Sequence, residues 1–143
     1  MSPFIRRARQ GDWYRITEIR LGVKENVLSD PRRVTIDHYI WFRDNPGVWV
    51  WEETGDILGF SASDTRDGNI WALFVDPRHE RRGIGRPLFE KALDVLRQDG
   101  HRTAWLTTQP GSRAEGFYRA AGWTVIGHSL KGELIFHGVL SKE

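Results

Sequence analysis

Leu73-Phe74-Val75-Asp76-Pro77-Arg78-His79-Glu80-Arg81-Arg82-Gly83-Ile84-Gly85-Arg86-Pro87-Leu88 is the stretch that decides how this chain reads. Its apolar start predicts a strand that Asp76-Pro77 stops, followed by a short basic loop and a helix entered through Gly83-Ile84-Gly85. Glycine tolerates positive φ and lets backbone come close to a ligand. The first N–H groups of a helix have no partner inside it and sit at the positive end of its dipole, which makes an anion site. Pro87 has no N–H to give and is tolerated in a first helical turn. The amides of Arg82 through Arg86 are then the expected donors, with Arg81, Arg82 and Arg86 supplying charge. The expected ligand carries phosphate.

Three nucleotide sites compete. A P-loop closes on Gly-Lys-Ser/Thr, a tripeptide this chain does not contain. A dinucleotide fingerprint needs a third small residue in a tight turn straight off the strand, whereas Leu88 stands there and the loop from Asp76 to Arg82 is too long. The third is coenzyme A, and here the segment resembles motif A of the GNAT superfamily of N-acetyltransferases, Gln/Arg-x-x-Gly-x-Gly/Ala. Glu80 replaces the usual Gln or Arg, which removes a side-chain contact and leaves the backbone cradle intact. Residues 107–123, Thr-Thr-Gln-Pro-Gly-Ser-Arg-Ala-Glu-Gly-Phe-Tyr-Arg-Ala-Ala-Gly-Trp, are similar to the family's motif B, Ala-x-x-Phe-Tyr-x-x-x-Gly-Phe. Ser112 with Glu115 reads as a capping box and Gly122 as a C-cap. Gly111 stands where the family often has Asn, and Trp123 where it has Phe.

Working outward, residues 4–9 read as a strand, and Asp12 as the cap of a helix carrying Ile16, Ile19 and Val23. Residues 26–33 break that helix, and Thr35 caps a second one with Ile36, Tyr39 and Ile40. Residues 48–53 and 57–64 form a hairpin turning at Thr54-Gly55-Asp56. Residues 70–76 make a central apolar strand, and 85–98 the clearest helix, with Leu88, Phe89, Ala92, Leu93 and Leu96 on one stripe ended by Gly100. A strand at 103–108, a helix at 112–121 and strands at 123–128 and 133–140 close the chain. The order β-α-α-β-β-β-α-β-α-β-β is that of the GNAT fold. The resemblance therefore implies one α/β (α+β) domain over residues 1–143. Its sheet would be mixed and mostly antiparallel, flanked by helices, with splayed fourth and fifth strands and pantetheine in the gap.

Composition sets the bounds. No window approaches the ~18 apolar residues of a membrane span, and no signal peptide is legible, so the expected location is cytoplasmic. With no cysteine, disulfides, thiolate metal sites and a Cys-acyl intermediate are excluded, which favours direct transfer from acyl-CoA to acceptor. The net charge of +2 is too small to argue for nucleic acid. The histidines, at 38, 79, 101, 128 and 137, show no ligand spacing, so no metal is expected. The seven tryptophans suggest core packing or a homodimer face, or an aromatic pocket for a cationic acceptor.

By the resemblance, main-chain groups of Leu73, Phe74 and Val75 would hold pantetheine and the acetyl carbonyl, and Arg81, Arg82, Gly83, Ile84, Gly85 and Arg86 the pyrophosphate. Tyr118 would protonate the departing thiolate. Some members use a Glu on the fifth strand as base, but here that strand reads Trp105-Leu106-Thr107-Thr108. Glu25 is the first substitute, followed by Asp64, His128 or a chain of waters. The implied activity is acetyl-CoA-dependent acetylation of a primary amine on a small molecule or peptide. A longer acyl group, a hydroxyl acceptor or a non-catalytic acyl-CoA sensor remain as alternatives.

Overall fold

Val48 and Val50 point to one side and Trp49 and Trp51 to the other, the two-residue alternation of a strand. In the computed structural model, which describes residues 2–22 and 35–140, both valines are fully buried. This strand, β2 (Val48–Glu53), pairs antiparallel with β1 (Phe4–Arg7) and with β3 (Asp56–Asp64). The β2–β3 hairpin has a two-residue loop in which Thr54 and Gly55 both take positive φ, 52° and 80°. That is the turn whose twist matches the flanking strands.

Next come β4 (Asn69–Val75), β5 (Thr103–Thr108), β6 (Thr124–His128) and β7 (Leu134–Val139), giving the sheet order β1-β2-β3-β4-β5-β7-β6. Among these strands only β4 and β5 are parallel neighbours, and they meet at a single register pair, Asn69 with Trp105. Trp105 is fastened there three times: its N–H donates to Gly68 O at 3.1 Å, its indole to Asp67 O at 3.1 Å, and its O accepts from Asn69 Nδ2 at 3.2 Å. Beyond that point the strands part. On the other edge of β4, Ala62 faces Ala72 and Ser63 faces Ile70, so Trp71 is the extra residue of a bulge. A bulge bends its strand, and this one sits where β4 turns away from β5.

Helix α3 (Gly85–Gln98) carries the crossover from β4 to β5 and buries the expected stripe, Leu88, Phe89, Ala92, Leu93 and Leu96. Two buried hydroxyls lock it to β3: Ser61 donates to Leu88 O at 2.8 Å and Ser63 to Ala92 O at 3.1 Å. Gly59 lets the helix come this close, since a Cβ there would lie 2.9 Å from both Leu88 Cδ1 and Phe74 O.

Helices α1 (Trp13–Gly22) and α2 (Ile36–Asp44) pack around Ile16, Ile19, Tyr39 and Phe42, which share a core with the apolar face of β2, β3 and β4. Helix α4 (Arg113–Ala120) packs with α3 on β5 and β7 through Phe89, Tyr118, Trp123 and Phe136. Thr35 caps α2 as expected, accepting from His38 N at 3.2 Å.

Two details differ from the sequence reading. Asp12 does not cap α1: it sits in a preceding single turn, its carboxylate held by the Arg6 guanidinium at 2.8 and 3.1 Å and by Arg9 N at 2.7 Å. In α2, Ile36 and Ile40 are exposed and the buried side chains are Tyr39 and Phe42. Val23 and residues 26–33 lie outside the described residues.

Candidate active site

Where β4 and β5 diverge, the backbone edge of β4 has no strand opposite it. A cleft of about 350 Å³ opens along this edge, with Leu73, Phe74 and Val75 as its floor. Residues of the 79–86 loop form one wall, and Ser112 to Tyr118 the other.

The loop is held at its root by Asp76. Its N–H donates to Leu58 O at 2.8 Å and its carboxylate accepts from Arg78 N at 3.0 Å. Ion pairs to Arg15 at 2.5 Å and Arg78 at 2.9 Å complete the anchor. The Arg78 hydrogen bond, with help from Arg15 and against the opposing effect of burial, keeps this carboxyl far below the usual carboxylate range. Past this anchor Arg81 and Gly83 take left-handed φ of 67° and 79°. The chain then enters α3 with no side chain capping its first turn. Pro87 is the third helical residue, so the amides of Gly85 and Arg86 lack intrahelical acceptors, and both residues line the cleft.

The loop's cations divide. Arg81 and Arg86 line the cleft. Arg82 does not: its guanidinium is taken by Glu53 of β2 at 2.8 and 3.0 Å and by His79 at 3.1 Å. A carboxylate on β2 therefore competes with any anion in the cleft for the Arg82 guanidinium. Glu80, the residue that departs from motif A, also lines the cleft, and it forms an ion pair with Arg113 of α4.

On the opposite wall Ser112 caps α4 as the sequence predicts, but the reciprocal half of the capping box falls one residue earlier, on Gly111. Ser112 Oγ accepts from Glu115 N at 3.2 Å, while the Glu115 carboxylate accepts from Gly111 N at 2.8 Å. This turn sets the first residues of α4 beside the cleft and aims Tyr118 at the sheet. The Tyr118 ring is buried among Phe89, Phe117, Trp123 and Phe136, with centroids 5.4 to 6.5 Å away. Among the described residues none hydrogen-bonds its hydroxyl, and burial pushes the phenol well above its ordinary 10.0.

A second cavity of about 650 Å³ also opens on the β4–β5 gap and shares Leu73, Phe74, Thr108, Ala114 and Tyr118 with the first. Tyr118 therefore faces both spaces. Phe42, Trp71 and Trp105 give the second cavity aromatic surface, and its ionisable lining is Arg20, His38, Asp64, Arg66 and Glu133. Asp64 is committed to Arg66 through bonds of 2.8 and 3.0 Å, plus Arg66 N at 2.9 Å, and this pairing lowers its pKa. His128 is exposed and does not line the cavity. Glu25 lies outside the described residues. His38 and Glu133 are additions that sequence reasoning missed. Helical spacing already put His38 beside Phe42, but nothing local to residue 133 connects it to residue 107. Among the described residues no group of three His, Asp or Glu is placed to hold a metal ion, and no helix is long and apolar enough to cross a membrane.

Comparison with known proteins fits this geometry. The chain is 34% identical over 92 residues to the mycothiol acetyltransferase of Beutenbergia cavernae, covering 60% of this chain and 31% of that protein. It is 33% identical over 105 residues to the peptidyl-lysine N-acetyltransferase YiaC of Escherichia coli K12, covering 73% and 66%. Its fold superimposes on yncA, a putative acetyltransferase from Salmonella typhimurium solved with acetyl-CoA. The TM-score is 0.75 at 21% identity, over 100% of this chain and 96% of that one. Residues 13–123 match the Acetyltransferase (GNAT) family, and the chain belongs to that family.

Proposed function

We propose that this protein transfers the acetyl group of acetyl-CoA directly to a primary amine within a ternary complex. The observation that carries the proposal is the sharing of Tyr118 by two cavities that meet at the β4–β5 gap. One cavity has the uncapped start of α3 and the unpaired edge of β4, which suit a pyrophosphate and the amide-bearing pantetheine arm. The other has aromatic and carboxylate surface suited to an ammonium group.

In this reading the amides from Gly83 to Arg86, with the Arg81 and Arg86 side chains, hold the pyrophosphate. Main-chain groups of Leu73, Phe74 and Val75 hold pantetheine, and a β4 amide facing the gap stabilises the oxyanion that forms on attack, worth about 3 kcal/mol. The amine nitrogen forms its bond to the acetyl carbon, the carbon–sulfur bond breaks, and the thiolate takes the Tyr118 proton. A phenol raised by burial is a weak acid. The same dry surroundings also raise the thiol, so the proton transfer remains near balance. With no cysteine in the chain, no thioester intermediate on the protein is needed. Peptidyl lysine, the acceptor named for the E. coli relative, fits an open cavity of this kind, and a small amine fits equally.

Two measurements test this. Acetyl-CoA at a hundred times its Kd raises stability by about 2.7 kcal/mol, whereas ATP and NAD raise it much less. Free thiol then appears when lysine peptides or small amines are added. Gly83→Val, which forces a β-branched residue to φ 79°, removes the stabilisation. Equal stabilisation by all three nucleotides overturns the assignment, and stabilisation without thiol release on any amine favours an acyl-CoA sensor.

A further inference from the structure

We propose that Glu133, on the β6–β7 hairpin, is the base that takes the proton from the acceptor ammonium. This inference rests on the acetyltransferase reading above and supplies the group that reading lacks.

Strand register places the residue. In the β5–β7 pair, Trp105 faces His137, Thr107 faces Ile135 and Thr108 faces Leu134. Leu134 and Phe136 enter the core between the sheet and α4, so Ile135 and Glu133 project to the opposite face, that of Trp105 and Thr107. Trp105, Thr107, Ile135 and Glu133 accordingly line the same cavity. Glu133 is the diagonal neighbour of Thr107, about 7–8 Å away along the pleat, within the reach of a glutamate side chain. Thr107 lies on β5, which itself carries no carboxylate.

The backbone of Glu133 is fixed: its N–H donates to Ser129 Oγ at 3.1 Å and its O accepts from Ser129 N at 2.8 Å. Its carboxylate is unspent. Among the described residues it enters no ion pair or hydrogen bond, while Asp64, the other carboxylate in the cavity, is bound twice by Arg66. Only a carboxylate without a standing partner can accept a proton from a ligand at neutral pH without first breaking an ion pair.

The step balances. R–NH3+ gives one proton to Glu133 and becomes R–NH2, whose lone pair forms the C–N bond. The C–S bond breaks, the thiolate takes the Tyr118 proton, and the second nitrogen proton returns to Tyr118 through water. Glu133 releases its proton to solvent, so the net products are R–NH–acetyl, free thiol and one H+.

The test is the pH profile of Glu133→Gln. Expected are a fall in kcat of about a hundredfold or more at pH 7, unchanged stabilisation by acetyl-CoA, and a rate that climbs tenfold per pH unit towards the amine's own pKa. An acceptor of low pKa, already neutral at pH 7, restores the variant to near wild-type turnover, and Glu133→Asp keeps part of the activity. Normal turnover in Glu133→Gln, or an equal loss at every pH and with every amine, overturns the assignment of the base. Wild-type protein that binds acetyl-CoA yet releases no thiol overturns the transferase reading, and the base with it.

Discussion

Glu80 and Arg113 form an ion pair across the mouth of the cleft beside β4, joining the glycine loop to the first turn of α4. The residue by which motif A departs from its family is therefore engaged with the opposite wall and lowers the positive potential there. Glu80→Gln removes one negative charge from the rim. The Kd for acetyl-CoA is expected to fall about two- to fivefold, the worth of an exposed ion pair. Titration calorimetry at low and high salt checks it, since screening shrinks the gain. Weaker binding would mean that Glu80 is needed to hold Arg113 in position.

Tyr118→Phe keeps the ring packed among Phe89, Phe117, Trp123 and Phe136 and removes the proposed proton donor. Acetyl-CoA binding is expected to survive while kcat falls about ten- to a thousandfold. Because burial holds the phenol above 10.0, it remains protonated through the ordinary assay range. The alkaline decline due to its ionisation is then expected above pH 10. A decline near pH 9 that persists in the Phe variant would assign that limb to another group.

The buried carboxylate of Asp76 ties α1 to the start of the glycine loop through Arg15 and Arg78. Its pKa is depressed on folding, so the folded state binds its proton less tightly than the unfolded chain does. The stability it supplies is thus present above about pH 4, its unfolded range, and is lost as pH falls below that. Asp76→Asn is expected to cost about 2–3 kcal/mol at pH 7, because Arg15 keeps Asp56 and Glu18 as partners. Urea titrations should show the difference from wild type shrinking between pH 4 and pH 2.

A methyl group at Gly138 would stand 2.2 Å from Trp123 Cε2 and 2.4 Å from its Cδ2. The indole packs against Phe89 and Tyr118 and has little room to yield. Gly138→Ala is expected to destabilise the fold by about 1–3 kcal/mol, read as a lower melting temperature. Gly127→Ala, where no atom lies within 4 Å of the added carbon, serves as the control.

Much of this was legible in the chain because punctuation and periodicity are local. Ser112 with Glu115, the Thr54-Gly55 turn and the α3 stripe each announce themselves within a few residues. What was not legible shares one cause, partners distant in sequence. Arg82 is paired with Glu53 of β2, 29 residues away, a partner that the loop's own sequence does not announce. Arg6, on the first strand, holds Asp12 away from α1. Glu133 acquires meaning only when β7 pairs with β5 and sets its cavity-facing residues beside Thr107. No motif spacing encodes that register.

The single register pair between β4 and β5 has a kinetic consequence. Residues 72–75 are paired with β3 along one edge, while on the other their amides face no strand among the described residues. Those gap-facing amides would exchange with deuterium almost as freely as a loop's, inside a strand that is otherwise central. Acyl-CoA, by occupying the edge, would convert them to slowly exchanging sites, so the protein carries its own isotopic reporter of occupancy where the sheet comes apart.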